Sequence, residues 1–168
     1  MFLFSGYEIY KFLIYSPYFR IKDIRIEGNH DINSKDILSL LDIKKGENIF
    51  KVKLSQAVRR LRRLNQIKEV EIHRDFPDKI VLKINERVPI AELDGGNSVH
   101  SNKVQLIDKE GIIFLGKPRK MPKILGAKSS LERQEVANFL AKLMVADSGF
   151  YDKISYIDAN NPRRIKLK

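Results

Sequence analysis

Val70 and Ile72 alternate with Glu69, Glu71 and His73, and Ile80, Leu82 and Ile84 alternate with Val81, Lys83 and Asn85. A period of two puts each apolar set on one face, so both segments read as half-buried strands. Asp75-Phe76-Pro77-Asp78 between them supplies the turn residues of a hairpin. Pro89 has no N–H to give a ladder and fits a strand end or a domain boundary. Upstream, Ile21, Ile24 and Ile26 among Lys22, Asp23, Arg25 and Glu27 make a short strand that stops at the turn pair Gly28-Asn29. Two helical stretches follow it. In the first, Asn33 or Ser34 can cap, Asp36 sits in the first turn, Ile37, Leu40 and Leu41 recur at helical spacing, and Lys44-Lys45-Gly46 ends the helix. In the second, which runs from Lys53 to Asn65, Leu54, Val58, Leu61 and Leu64 form an apolar stripe with Arg59, Arg60, Arg62 and Arg63 mostly opposite. The order is strand, helix, helix, strand, strand, with both helices expected on one face of a three-stranded sheet.

Beyond Ala91 the pattern changes. Short apolar pieces (Val104 to Ile107, Ile112 to Leu115, Ile124-Leu125) are separated by Asp108-Lys109-Glu110-Gly111 and Gly116-Lys117-Pro118 turns, and Asp94 to Ser98 reads as a loop. One helix is expected from about Ser130 to Ala146, capped by Ser129 or Ser130, with Val136, Phe139, Leu140 and Leu143 on one face. Ile154 to Ile157 and Ile165 to Leu167 read as two more strands, the last without an obvious neighbour. The fold class is therefore α+β: a β-α-α-β-β domain followed by a mainly β domain with one helix.

The chain has 168 residues, 43% of them hydrophobic, enough to bury a core. Having no cysteine, it has no disulfide, thiolate nucleophile or cysteine-held metal, and the redox compartment stays open. The net charge of +11 suits nucleic acid, anionic lipid or an acidic protein surface. Residues 1–19 are rich in aromatic and aliphatic side chains, but Glu8 and Lys11 interrupt them before the roughly 20 apolar residues that a spanning helix needs. Phe2, Phe4, Tyr7, Tyr10, Phe12, Tyr15, Tyr18 and Phe19 form a belt like that of a membrane helix leaving the bilayer. An amphipathic helix packed on its own domain fits the same residues.

The histidines His30, His73 and His100 are scattered, with no pair at metal-ligand spacing, and read as surface residues. Asp23, Asp75, Asp78, Asp94 and Asp108 fall in or beside turns, where Asp is favoured for local hydrogen bonds. Ser98, Ser101 and Ser129 lack the strand-turn-helix setting of a nucleophile, and Gly95-Gly96 lacks that of a phosphate loop. No catalytic, cofactor or metal site and no small-molecule substrate is expected. The sharpest charge feature is Arg59, Arg60, Arg62 and Arg63 with Lys51, Lys53 and Lys68. It reads first as a solvated face, second as a membrane or partner contact, and third as a DNA-binding helix.

Taken together, the strand Ile21 to Glu27 closing on Gly28-Asn29, the Gly46-Glu47-Asn48-Ile49-Phe50 stretch, the Phe76-Pro77 turn, Glu86-Arg87-Val88-Pro89-Ile90-Ala91 and Leu106-Ile107-Asp108-Lys109-Glu110-Gly111 resemble the FtsQ/DivIB family of bacterial cell-division proteins. The resemblance implies that Gly28, Asn29, Gly46, Phe76, Pro77, Glu86, Arg87, Pro89, Ala91, Asp108 and Gly111 are architectural. It implies a membrane-proximal segment (1–18), a POTRA domain (19–88) and a β domain (89–168) whose last strands lie beyond Lys168. It further implies a non-enzymatic scaffold of the divisome, single-pass in the cytoplasmic membrane with both domains outside, binding FtsB- and FtsL-type partners and no nucleic acid. Residues 1–15 then read as the outer end of a membrane helix. Arg59, Arg60, Arg62, Arg63, Ile165 and Leu167 are the candidates for partner or membrane contact. A POTRA module of an outer-membrane assembly or secretion protein is the alternative setting. Lys53 departs from the family, which often has an acid there, so the second helix begins with a cation against its dipole.

Overall fold

The computed structural model describes residues 2–94, 103–161 and 165–167, in two compact units, 1–86 and 87–168. The first unit opens with α1 (Phe2–Tyr15) and a 3-10 turn (Pro17–Phe19), then runs β1 (Asp23–Glu27), α2 (Ser34–Leu41), α3 (Leu54–Leu61), β2 (Ile67–Asp75) and β3 (Lys79–Glu86). β3 lies in the centre of a three-stranded sheet, parallel to β1 and antiparallel to β2. Ile80, Leu82 and Ile84 of β3 and Val70 of β2 face α2 and α3, where Ile37, Leu41, Ala57 and Leu61 complete a core shielded from water. Asn33 caps α2, accepting a hydrogen bond from the Lys35 N–H at 2.9 Å. The hairpin, the one-sided sheet and both helices lie where the hydrophobic periodicity places them.

Two helix boundaries and the burial of one strand residue differ from the expectation. The first helix ends at Leu41, with Asp42 in the left-handed region at φ 53°, so Lys44-Lys45-Gly46 lies in the loop beyond. The second helix also ends early, at Leu61, because the chain tightens: the Arg63 N–H donates to the Arg60 carbonyl and the Leu64 N–H to that of Leu61. Val81, on the charged face of β3, is nevertheless buried, since its strand neighbours are Arg25 and His73, long enough to cover it.

The second unit contains β4 (Pro89–Leu93), β5 (Val104–Asp108), β6 (Ile113–Gly116), β7 (Lys123–Leu125), α4 (Ser130–Ala146), α5 (Ser148–Lys153), β8 (Ile154–Asp158) and β9 (Ile165–Leu167). The strands form one mixed sheet in the order β6-β5-β4-β7-β8-β9. Val136, Ala137 and Leu140 of α4 close a core with Ile90, Leu93, Ile107, Ile124, Ile154 and Ile157, while Val104, Leu106 and Phe114 form a smaller cluster. Ser129 and Glu132 make a capping box at the start of α4. The unit has two helices where one was expected, because the Asp147 carboxylate accepts from the Phe150 N–H at 2.8 Å and starts α5 directly after α4. β4 is an inner strand that alternation did not announce. Its Ile90, Ala91, Glu92 and Leu93 are all buried, so neither face shows the period of a half-wet strand.

Candidate functional site

Two kinds of site can be built from these elements: the motif residues around residues 86 and 87, and the surfaces left available for binding. Glu86 ends β3 and its carboxylate accepts from three backbone N–H groups, His30 at 3.0 Å, Asp31 at 2.9 Å and Ile32 at 3.0 Å. It thereby fixes the loop between β1 and α2. That loop begins at Gly28, whose φ of +82° and whose approach to the Ile84 carbonyl leave no room for a Cβ. The Asn29 amide continues it, donating to the Ile32 carbonyl at 3.1 Å and to the Ser34 hydroxyl at 2.9 Å.

Arg87 belongs to the second unit. Its guanidinium donates to the carboxylates of Asp108 and of Glu110, the latter at 2.9 Å. Burial opposes the charge of Arg87, but the hydrogen bonds to Asp108 and Glu110 outweigh it, and the group is more basic than usual. The other oxygen of Asp108 accepts from the Glu110 and Ile112 N–H groups, both at 2.9 Å, and so shapes the β5–β6 turn. Gly111 closes that turn at φ +81° with its Cα against Gln134 of α4. Pro89 is the first residue of β4, and Ala91 is fully buried inside it. Phe76, at the hairpin turn with Pro77, stacks on Phe50 with ring centroids 5.4 Å apart. These residues are engaged in holding turns and strands.

The arginine cluster does not act as one face. Arg60 folds back on α2, its Nε donating to the Leu40 carbonyl at 2.8 Å and its Nη2 to that of Leu41, carbonyls the helix end leaves without partners. Arg60 therefore holds the end of α2, while its side chain stays partly exposed. Arg59, Arg62 and Arg63 are exposed, the last two just past the end of α3. Sequence reading missed a comparable role for Arg74, which donates to the carbonyls of Ile49 and Val52, each at 2.8 Å. Arg74 continues the phase of Val70 and Ile72, on the face toward the helices, and that phase is its one signal in the sequence.

At the other end of the helical layer, α1 is tied to its unit by Asn48, whose amide donates to the carbonyls of Leu13 at 2.8 Å and Ile14 at 2.9 Å. Tyr7, Ile9, Tyr10, Phe12 and Tyr15 of α1 remain between 56% and 70% exposed. Among the described residues no helix is long and apolar enough to cross a membrane. Beside the end of α1 lies a cavity of about 480 Å³ lined by Tyr15, Arg20, Glu47, Asn48 and Lys51 among others. A second, of about 300 Å³, is lined by Lys44, Lys53, Asp42 and Arg60, and the two share Glu47 and Lys51. Of the remaining candidates, Ile165 and Leu167 lie on β9, at one end of the sheet order. His100, Ser98 and Ser101 lie outside the described residues.

Residues 19–87, which hold β1, both helices and the hairpin, match the POTRA domain, FtsQ-type. Cell division protein FtsQ of Syntrophotalea carbinolica is 37% identical over 79 residues, 47% of this chain and 28% of that protein. Cell division protein FtsQ of Rickettsia bellii is 36% identical over 93 residues, covering 55% and 33%. Cell division protein DivIB of Clostridium acetobutylicum is 33% identical over 98 residues, covering 58% and 37%. Residues 19–87 carry an FtsQ-type POTRA domain, and the chain is similar to the cell-division proteins FtsQ and DivIB. The aligned stretch spans only about a third of the length of each of these relatives. In this chain the POTRA match runs one residue past Glu86, through the adjacent Glu86 and Arg87, which hold loops of the first and second units respectively. Its helical layer, with the basic loops of residues 44–63, is part of the matched domain.

Proposed function

We propose that this chain works, like the FtsQ and DivIB proteins it resembles, as a non-enzymatic scaffold of the bacterial divisome. It is held at the outer side of the cytoplasmic membrane through the segment that contains α1, and it gathers FtsB- and FtsL-type partners at the division septum. Binding proceeds by strand addition: an extended partner segment pairs with the outer edge of the second unit's sheet and completes its ladder. The observation that carries this reading is β9, a three-residue strand that pairs only with β8 among the described residues and so presents its other edge. The exposed aromatic residues of α1 support placement at a membrane interface. The test titrates peptides from FtsB-type proteins into the chain and into the Ile165→Pro and Lys166→Pro variants, which each remove one backbone donor, the two donors pointing to opposite edges of the strand. A loss of at least about tenfold in affinity in one of the two, with unchanged far-UV circular dichroism, is expected, since one hydrogen bond left unmade costs about 1–3 kcal/mol. Equal affinity in all three proteins would remove strand addition from the account.

A further inference from the structure

The two adjoining cavities of the first unit form one groove from the end of α1 to the start of α3, and their lining is strongly cationic. Arg20, Lys44, Lys51 and Lys53 are exposed in it. Of the two acids in the lining, Asp42 is paired with Arg60 at 3.7 Å, which leaves Glu47 against the four cations. None of the four has an ion pair among the described residues, unlike Lys45, whose Nζ lies 3.3 Å from Asp23. Lys51 sits over the Tyr15 ring, 5.1 Å from its centroid, so the aromatic helix and the cationic groove meet at this residue. Asn48 pins the same end of α1 to the groove wall, which fixes the distance between them.

We infer that this groove binds the phosphate of an anionic phospholipid while the aromatic side chains of α1 lie in the adjoining interface. A phosphodiester supplies the negative charge that the four cations lack, and its acyl chains lead away beside the apolar helix. A soluble acidic partner would satisfy the cations but would leave Tyr7, Ile9 and Tyr10 in water. The inference rests on the membrane-proximal reading of α1 and adds to it a defined headgroup site.

The experiment measures flotation of the whole chain with vesicles of phosphatidylcholine alone and of phosphatidylcholine mixed with phosphatidylglycerol. Three variants are compared: the groove triple Lys44→Gln, Lys51→Gln and Lys53→Gln; a control triple of equal charge, Arg59→Gln, Arg62→Gln and Arg63→Gln; and Tyr7, Ile9 and Tyr10 all changed to Ser. The groove triple should weaken binding to the anionic vesicles by about a hundredfold, roughly 1 kcal/mol for each cation at the surface, without changing binding to the neutral ones. The control triple should lose far less. Equal losses in the two triples would overturn the site, because diffuse attraction then accounts for the binding. If the α1 variant binds both vesicles like the parent, the membrane reading of α1 fails and the headgroup site with it. If that variant weakens binding to both vesicles while the groove triple weakens neither, the site alone is refuted.

Discussion

The two units build their sheets differently. In the first, helices cover one face and charges occupy the other in rows: Asp23, Lys79 and Asp75 are register neighbours, as are Glu27, Lys83 and Glu71. Each central lysine stands between two acids. In the second, β4 and β5 are buried nearly throughout, and even the charged Glu92 is shielded, with the Lys123 Nζ at 3.0 Å. The difference locates the basic character of the first unit. Lys79 and Lys83 on its open sheet stand in register between acids, whereas the loops and helix ends of residues 44–63 carry Lys44, Lys51, Lys53, Arg59, Arg62 and Arg63, which have neither such neighbours in a sheet nor an ion pair among the described residues.

The comparison can be broken first at the cores. Ile80→Ala should remove about 3 kcal/mol from the first unit, and Leu140→Ala a similar amount from the second, each by leaving a cavity at a fully buried position. Amide hydrogen exchange should show each loss confined to its own unit. A smaller effect is expected on the open face. Lys83→Glu replaces the middle of an acid–lysine–acid row and should cost about 1 kcal/mol in urea denaturation, with no loss of the hairpin. The smallest is a pH effect at the start of α4. Hydrogen bonds from the Ser129 and Lys128 backbone hold the Glu132 carboxyl below its ordinary value. A carboxyl lowered in the folded state stabilises above its unfolded pKa and loses that contribution as pH falls through the folded value. The protection of the first-turn amides of α4, after allowance for the intrinsic pH dependence of exchange, should therefore fall on acidification, and Glu132→Gln should make that protection pH-independent over that range.

These contrasts explain what the sequence disclosed. Alternation in β2 and β3 was legible because one face is wet, and the order of strand, helices and hairpin was legible with it. β4 was not, because Ile90, Ala91, Glu92 and Leu93 are buried together and Pro89 suggested an exit. Helix lengths were overread where Asp42 and the Arg60–Leu64 turn end the helices without a glycine. The motif residues were recognisable as a set, but their roles were not. Glu86 and Arg87 adjoin in sequence yet hold the His30–Ile32 loop and the Asp108–Gly111 turn, more than 20 positions away in opposite directions. Nor could spacing show that Arg60 caps α2 while its neighbours remain in solvent.

That division between adjacent residues is most directly tested by site-resolved hydrogen exchange on Glu86→Gln and Arg87→Met. Glu86→Gln weakens charge-assisted bonds to backbone amides and should lower protection around His30–Ile32 and through β1 to β3, by about 1.5 kcal/mol. Arg87→Met leaves Asp108 buried without its cation and should lower protection in β4 to β6, by about 3 kcal/mol. The account requires the two sets of amides to be separate. If either variant lowers protection equally across both units, Glu86 and Arg87 do not serve different units and the account is contradicted.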